Sequence, residues 1–218
     1  MSSKKVKAKI CGITTPEALE VAIRSGARFV GYVFFPPSPR HIAIDTAKEL
    51  VLMMPTGVRS VGLFVDPTDA QLDAVVGYVP LDMIQLHGTE TPQRVKEIKD
   101  KYALPIIKAF PVSCTSDIEV ARDYEDIVDW LLFDAKPPAG SDVPGGTGQC
   151  FDWALLRDIT FSKPWMLSGG LHLENIGEAL SVLSPDAVDV SSGVEVSRGV
   201  KDIEKIRSFL AAVHDQGK

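Results

Sequence analysis

Cysteine is scarce in this chain of 218 residues. Its three cysteines, Cys11, Cys114 and Cys150, are odd in number and form no CxxC pair, so no disulfide framework is indicated. Long apolar runs are missing too. None approaches the ~20 residues needed to cross a bilayer, and the basic start MSSKKVKAKI is not followed by the apolar stretch of a secretion signal. The expectation is a cytoplasmic protein with no membrane partner. Positive charge is in deficit, with 23 Lys and Arg against 29 Asp and Glu and a net charge of −6. That balance argues against a nucleic-acid partner while leaving room for a small cationic site. Neither G-x-x-x-x-G-K-[ST] nor G-x-G-x-x-G occurs, which removes the usual nucleotide loops. His, Cys, Asp and Glu nowhere fall at metal-ligand spacing, so neither metal nor cofactor is expected.

What is present is a repeated unit: a short apolar strand, a loop, then an amphipathic helix. VKAKIC reads as the first strand, and Thr15-Pro16 with Glu17 opens a helix whose inner face is Ala18, Leu19, Ala22 and Ile23, closed by Gly26. RFVGYVFF, RSVGLFV, DMIQLH, PIIKAFPV, WLLFDA, PWMLSG and AVDVSS follow as strands. Helices are expected over residues 45–53, after Asp66-Pro67, and over residues 94–101 and 118–124. Others should begin near Asp152 and span residues 173–183 and 202–213. Strands that are apolar almost throughout, each separated from the next by a helix, imply parallel pairing buried on both faces. Eight such units in one chain close naturally into an α/β fold, the (β/α)₈ TIM barrel. No linker or composition break interrupts the pattern, so residues 1–218 are expected to form a single domain.

In such a barrel the chemistry belongs at the C-terminal ends of the strands. Cys11 ends the first strand, where an apolar run gives way to glycine. Asp134 ends the sixth. A thiol and a carboxyl across a barrel mouth suit base and acid work on one substrate. The bland readings are a small core cysteine, and an aspartate paired with Lys136 or capping a loop. Arg40 sits in FPPSPRHI, whose prolines would fix where a carboxylate-gripping guanidinium points. Gly169 and Gly170 in LSGGL, and Ser192 and Gly193 in VDVSSGVE, follow strands 7 and 8, the usual phosphate site of these barrels. Lys9 and Lys108 lie in strands and raise the alternative of a Schiff-base aldolase, although structural ion pairing fits them better.

KICGIT, GYVFFPPSPRHI, VGLFVD, IQLHG, LLFDAK with GGTGQCFDW, LSGGL and VDVSSGVEVSRGVKD, in that order, resemble the phosphoribosylanthranilate isomerase family of tryptophan biosynthesis. The resemblance implies a cofactor-free barrel acting on a small phosphoribosyl substrate by an Amadori rearrangement. It implies Asp134 as general acid toward the ribose ring oxygen and Cys11, as thiolate, as base toward the C2 proton. It also implies Arg40 on the anthranilate carboxylate, Asp189 on the ribose hydroxyls, and the two glycine loops on the phosphate. A related isomerase of histidine biosynthesis fits less well, because its first strand offers an aspartate where this chain has Cys11. A catalytically dead barrel is disfavoured by the joint presence of Cys11, Arg40 and Asp134. Whether the barrel acts as a monomer or homodimer is left open.

Overall fold

The computed structural model describes residues 5–137, 140, 144–146, 148 and 150–215. Eight parallel strands follow in chain order around a closed barrel: β1 (Lys7–Cys11), β2 (Phe29–Val33), β3 (Arg59–Phe64), β4 (Met83–Leu86), β5 (Ile106–Val112), β6 (Trp130–Ala135), β7 (Trp165–Leu167) and β8 (Ala187–Val190). β8 pairs back onto β1 through Lys9 and Asp189. A short antiparallel hairpin, β9 (Glu195–Ser197) and β10 (Val200–Lys201), follows β8.

Side-chain alternation makes the barrel two-faced. Ala8, Ile10, Val30, Tyr32, Ile84, Leu86, Leu131, Phe133 and Val188 belong to the core between sheet and helices, where they meet Leu19, Leu50, Leu72, Ile98 and Phe209. Phe29, Val61, Met83, Ile107, Trp130, Leu132, Met166 and Ala187 fill the barrel itself. Phe29 and Trp130 meet there edge to face, 5.4 Å between ring centres. Each large side chain buried this way contributes about 1.5–3 kcal/mol.

The surrounding helices are α1 (Pro16–Arg24), α2 (Ile44–Leu52), α3 (Asp69–Val76), α4 (Pro92–Tyr102), α5 (Thr115–Glu119), α6 (Leu173–Val182) and α7 (Ile203–Asp215). Thr15, Thr68 and Thr91 each cap a helix by accepting a backbone N–H three residues on. Three expectations fail here. The helix after β3 starts at Asp69 behind the Thr68 cap, not at Asp66. Asp66 instead adopts φ 44° and accepts from the N–H and hydroxyl of Thr89, tying the loops after β3 and β4 together. Asp-Pro is a common helix start, but a nearby threonine with a glutamine three residues on forms a full capping box and wins. The helix expected near Asp152 is a single 3₁₀ turn, Trp153–Leu156, with Asp152 accepting from Ala154. The stretch at 118–124 likewise divides, ending α5 and continuing as a 3₁₀ turn, Val120–Tyr124. Among the described residues no helix is long and apolar enough to cross a membrane.

Candidate active site

The register decides which strand-end side chains reach the mouth. Lys9 lies beside Phe29 and Asp189, Gln85 beside Leu63 and Ile107, and Leu132 beside Met166, which puts one inward face on all eight strands. Two residues beyond inward Lys9 comes Cys11, and two beyond Leu132 comes Asp134. Both line one cavity of about 640 Å³, its open mouth included, together with Arg40, His87, Gly169, Gly170, Asp189 and Ser192. Gly193 is the one expected residue that does not line it. Its backbone packs against Leu171, joining the loops after β7 and β8.

The thiol of Cys11 sits in a tight niche. A Cβ at Gly31 would lie 2.8 Å from Cys11 Sγ and 3.2 Å from Lys9 Cε, so β2 carries glycine to make room for both. Gly12, at φ 79°, turns the chain out of β1, and a side chain there would strike the stem of Arg40. Lys9 Nζ lies 3.0 Å from Asp189 Oδ1, both groups buried. Burial alone would depress the Lys9 ammonium, but Asp189 and Cys11 hold it above its ordinary value. For Cys11 the balance runs the other way. Burial pushes the thiol up and Asp189 adds to that, against the pull of Lys9 and Lys201. A thiolate base calls for positive potential to lower this thiol. That potential is present, but desolvation of the thiolate outweighs it.

Asp134 is 4% exposed. It pairs with neither Lys136 nor a loop end. Its Oδ2 is 3.2 Å from His87 Nε2, and its Oδ1 accepts the Ala135 N–H at 2.9 Å. Gly145 lies directly over this pair, where any side chain would collide with both.

Arg40 is also 4% exposed, which its prolyl loop alone does not foretell. Its Nε and Nη2 donate to the two oxygens of buried Glu195 at 2.7 and 2.9 Å, and Nη2 also reaches the Gly146 carbonyl at 3.3 Å. Lys201 Nζ lies 2.7 Å from the same carboxylate and donates to the Ser191 carbonyl, while Ser191 Oγ donates to the Cys11 carbonyl. Burial would raise the Glu195 carboxyl, but Arg40 and Lys201 bring it below its ordinary value. Two cations on one carboxylate leave this cluster net positive, which suits an anionic ligand.

Lys108 points away from the mouth. It pairs with buried Glu90 at 3.0 Å and donates to the Gly88 carbonyl, outside the barrel. Neither strand lysine is therefore a free amine, which weakens the aldolase alternative. Glu195 and Lys201 are site residues to which the sequence did not point, and His87, which the strand-end rule puts at the mouth, carried a signal but no assigned role. Glu195 and Lys201 carried none, because their role depends on the hairpin β9–β10 folding back over Arg40. Among the described residues no group of three His, Cys, Asp or Glu is placed to hold a metal ion.

A parallel barrel whose C-terminal mouth gathers a thiol, a carboxyl–imidazole pair, a clamped guanidinium and two glycine loops belongs to the TIM-barrel enzymes. The chain matches the family model of N-(5'phosphoribosyl)anthranilate (PRA) isomerase over residues 8–212 and belongs to that family of isomerases, which serve tryptophan biosynthesis. The N-(5'-phosphoribosyl)anthranilate isomerase of Paracoccus denitrificans is 53% identical over 206 residues, 94% of this chain and 96% of that one. The crystal structure of phosphoribosyl anthranilate isomerase from Thermotoga maritima superposes with a TM-score of 0.85 at 39% identity, covering 95% of this chain and 98% of that one. A phosphoribosyl anthranilate isomerase in complex with reduced 1-(o-carboxyphenylamino)-1-deoxyribulose 5-phosphate gives 0.82 at 36% identity, with the same coverage.

Proposed function

We propose that the protein converts N-(5-phospho-β-D-ribosyl)anthranilate to 1-(2-carboxyphenylamino)-1-deoxy-D-ribulose 5-phosphate by an Amadori rearrangement, with Asp134 as acid and Cys11 as base. The observation that carries this reading is the inward placement of Cys11 and Asp134 on one cavity. Asp134 delivers a proton to the ribose ring oxygen, the C1–O bond breaks, and the anthranilate nitrogen lone pair forms an iminium at C1. Cys11 takes the C2 proton, leaving an enolamine. Protonation at C1 with loss of the O2 proton gives the ketone, so the sum is an isomerisation. The iminium acidifies the C2 proton and brings a positive charge beside Cys11, opposing the burial that favours the protonated thiol.

Arg40 is the group for the anthranilate carboxylate. Glu195 occupies its Nε–Nη2 side, so the Nη1 end remains to face the ligand. Asp189, held by Lys9, is the group for the ribose hydroxyls, and Gly169, Gly170 and Ser192 frame the phosphate end, with Gly193 behind them against Leu171. A small phosphoribosyl compound is the only partner this reading needs. It is tested by following anthranilate fluorescence with phosphoribosylanthranilate generated in situ, comparing wild type with Cys11→Ala. Rapid decay lost in the variant supports the assignment. Decay in both removes Cys11 as base, and decay in neither removes the activity.

A further inference from the structure

Gln85 is wholly buried on the inner face of β4, two residues before His87. Its Nε2 is 3.0 Å from His87 Nδ1, and its Oε1 has no hydrogen-bond partner among the described residues. Beyond the imidazole, His87 Nε2 faces Asp134 Oδ2 at 3.2 Å, and Asp134 Oδ1 accepts from Ala135. Amide, imidazole and carboxyl thus form one chain. Which way its hydrogens run is settled by counting donors.

With the amide N–H turned to His87, one buried acceptor and the second amide hydrogen are left alone, against two orphan hydrogens in the reverse sense. With the amide reversed, its NH₂ group would occupy the place where no partner is found, and buried orphan donors are rarer than under-satisfied acceptors. In that reversed form Nδ1 would hold the histidine proton, and a bare Nε2 would face Asp134 Oδ2, lone pair against lone pair once Asp134 is ionised. The first arrangement has no such conflict. Gln85 donates to Nδ1, the neutral imidazole keeps its hydrogen on Nε2, and Nε2–H donates to Asp134.

We infer that Gln85 is a positioning residue that selects the Nε2–H tautomer of His87, so that the imidazole donates a hydrogen bond to the carboxylate Asp134 leaves when it gives up its proton. The inference rests on the proposed acid role of Asp134. Both oxygens of that carboxylate are then satisfied, one by Ala135 and one by His87, without any rearrangement at the moment of ring opening. The orphan oxygen of Gln85 is the cost of holding the amide in this sense, and it explains why a polar side chain occupies an inner barrel position that otherwise suits an aliphatic one.

The test is the nitrogen spectrum of ¹⁵N-histidine-labelled protein at a pH above the ordinary imidazole range of ~6.5, with His87 assigned by loss of its signals in His87→Gln. Wild type should show a bare Nδ1 and a protonated Nε2. In Gln85→Glu, whose carboxylate can only accept, Nδ1 should become protonated and kcat should fall on the order of 10²-fold with KM little changed. Gln85→Met, which avoids a buried charge, should show mixed tautomers and a kcat loss of roughly 10-fold. A wild-type spectrum with Nδ1 protonated, alone or together with Nε2, overturns the inference. So does Gln85→Met with the wild-type spectrum. The spectrum needs no turnover, so it is separate from the acid role of Asp134, which fails on its own if Asp134→Asn keeps full activity.

Discussion

The inner face of the barrel changes character along each strand. On β4 the inward sequence is Met83, then Gln85, with His87 just beyond. On β6 it is Trp130, Leu132, Asp134. On β7 and β8, Met166 and Ala187 are followed two residues later by Ser168 and Asp189. The N-terminal half is a plug of buried apolar side chains. The C-terminal half is equally buried but built of ion pairs and hydrogen bonds, Lys9 with Asp189, Asp134 with His87, Arg40 with Glu195. One alternation pattern thus builds two layers of opposite chemistry. Burying charges adds little net stability even when they are paired, so the plug carries the fold while the mouth is free to carry chemistry.

That division can be broken deliberately. The largest effect is expected at the top: Asp134→Asn and Cys11→Ala should each lower kcat by about 10²–10⁴-fold, with melting temperatures close to wild type. A large loss of stability with retained turnover would erase the distinction. One level down, Met166→Ala should cost about 2–5 kcal/mol in denaturant unfolding through the cavity it leaves, with kcat within roughly twofold of wild type because no reacting group moves.

Glu195→Gln probes the seam between the layers. Loosening Arg40 should raise KM on the order of 10-fold with a smaller effect on kcat. Its effect on acid stability has a definite sign. The folded carboxyl lies below the ordinary 4.5, so its contribution is full above that pH and is lost as pH falls through the folded value. The glutamine variant should therefore show a flatter acid limb below about pH 4.5 in urea unfolding.

The smallest effect separates the thiols. Burial holds Cys11 above the ordinary 9.0, whereas hydrogen bonding from Ser116 lowers exposed Cys114. Iodoacetamide with peptide mapping should label Cys114 first, at lower pH. Cys11 should follow only as pH rises above its ordinary range. Equal labelling at neutral pH would mean that the mouth is wetter than its geometry.

Strand ends were readable in advance because parallel strands buried on both faces leave almost unbroken apolar runs. The residue at which a run stops is then a position at the mouth. Cys11, Asp134 and the glycines after β7 and β8 follow from that rule. Asp66 was misjudged because Asp-Pro is a local signal and its partner, Thr89, is 23 residues away. The missing helix near Asp152 has a similar cause. A cap residue is present, but a single 3₁₀ turn suffices there to bury Leu156.

Composition, period and strand-end identity, all local properties, determined the barrel, its eight strands and the thiol–carboxyl pair at its mouth. Partners were decided only by closure of the ring and the return of β9 and β10. Glu195 is 155 residues from Arg40, and Asp189 is 180 from Lys9. Ion pairs and hydrogen bonds act over a few ångströms of space whatever the separation along the chain. For that reason a buried arginine and a raised thiol became visible only once distant segments were brought into contact.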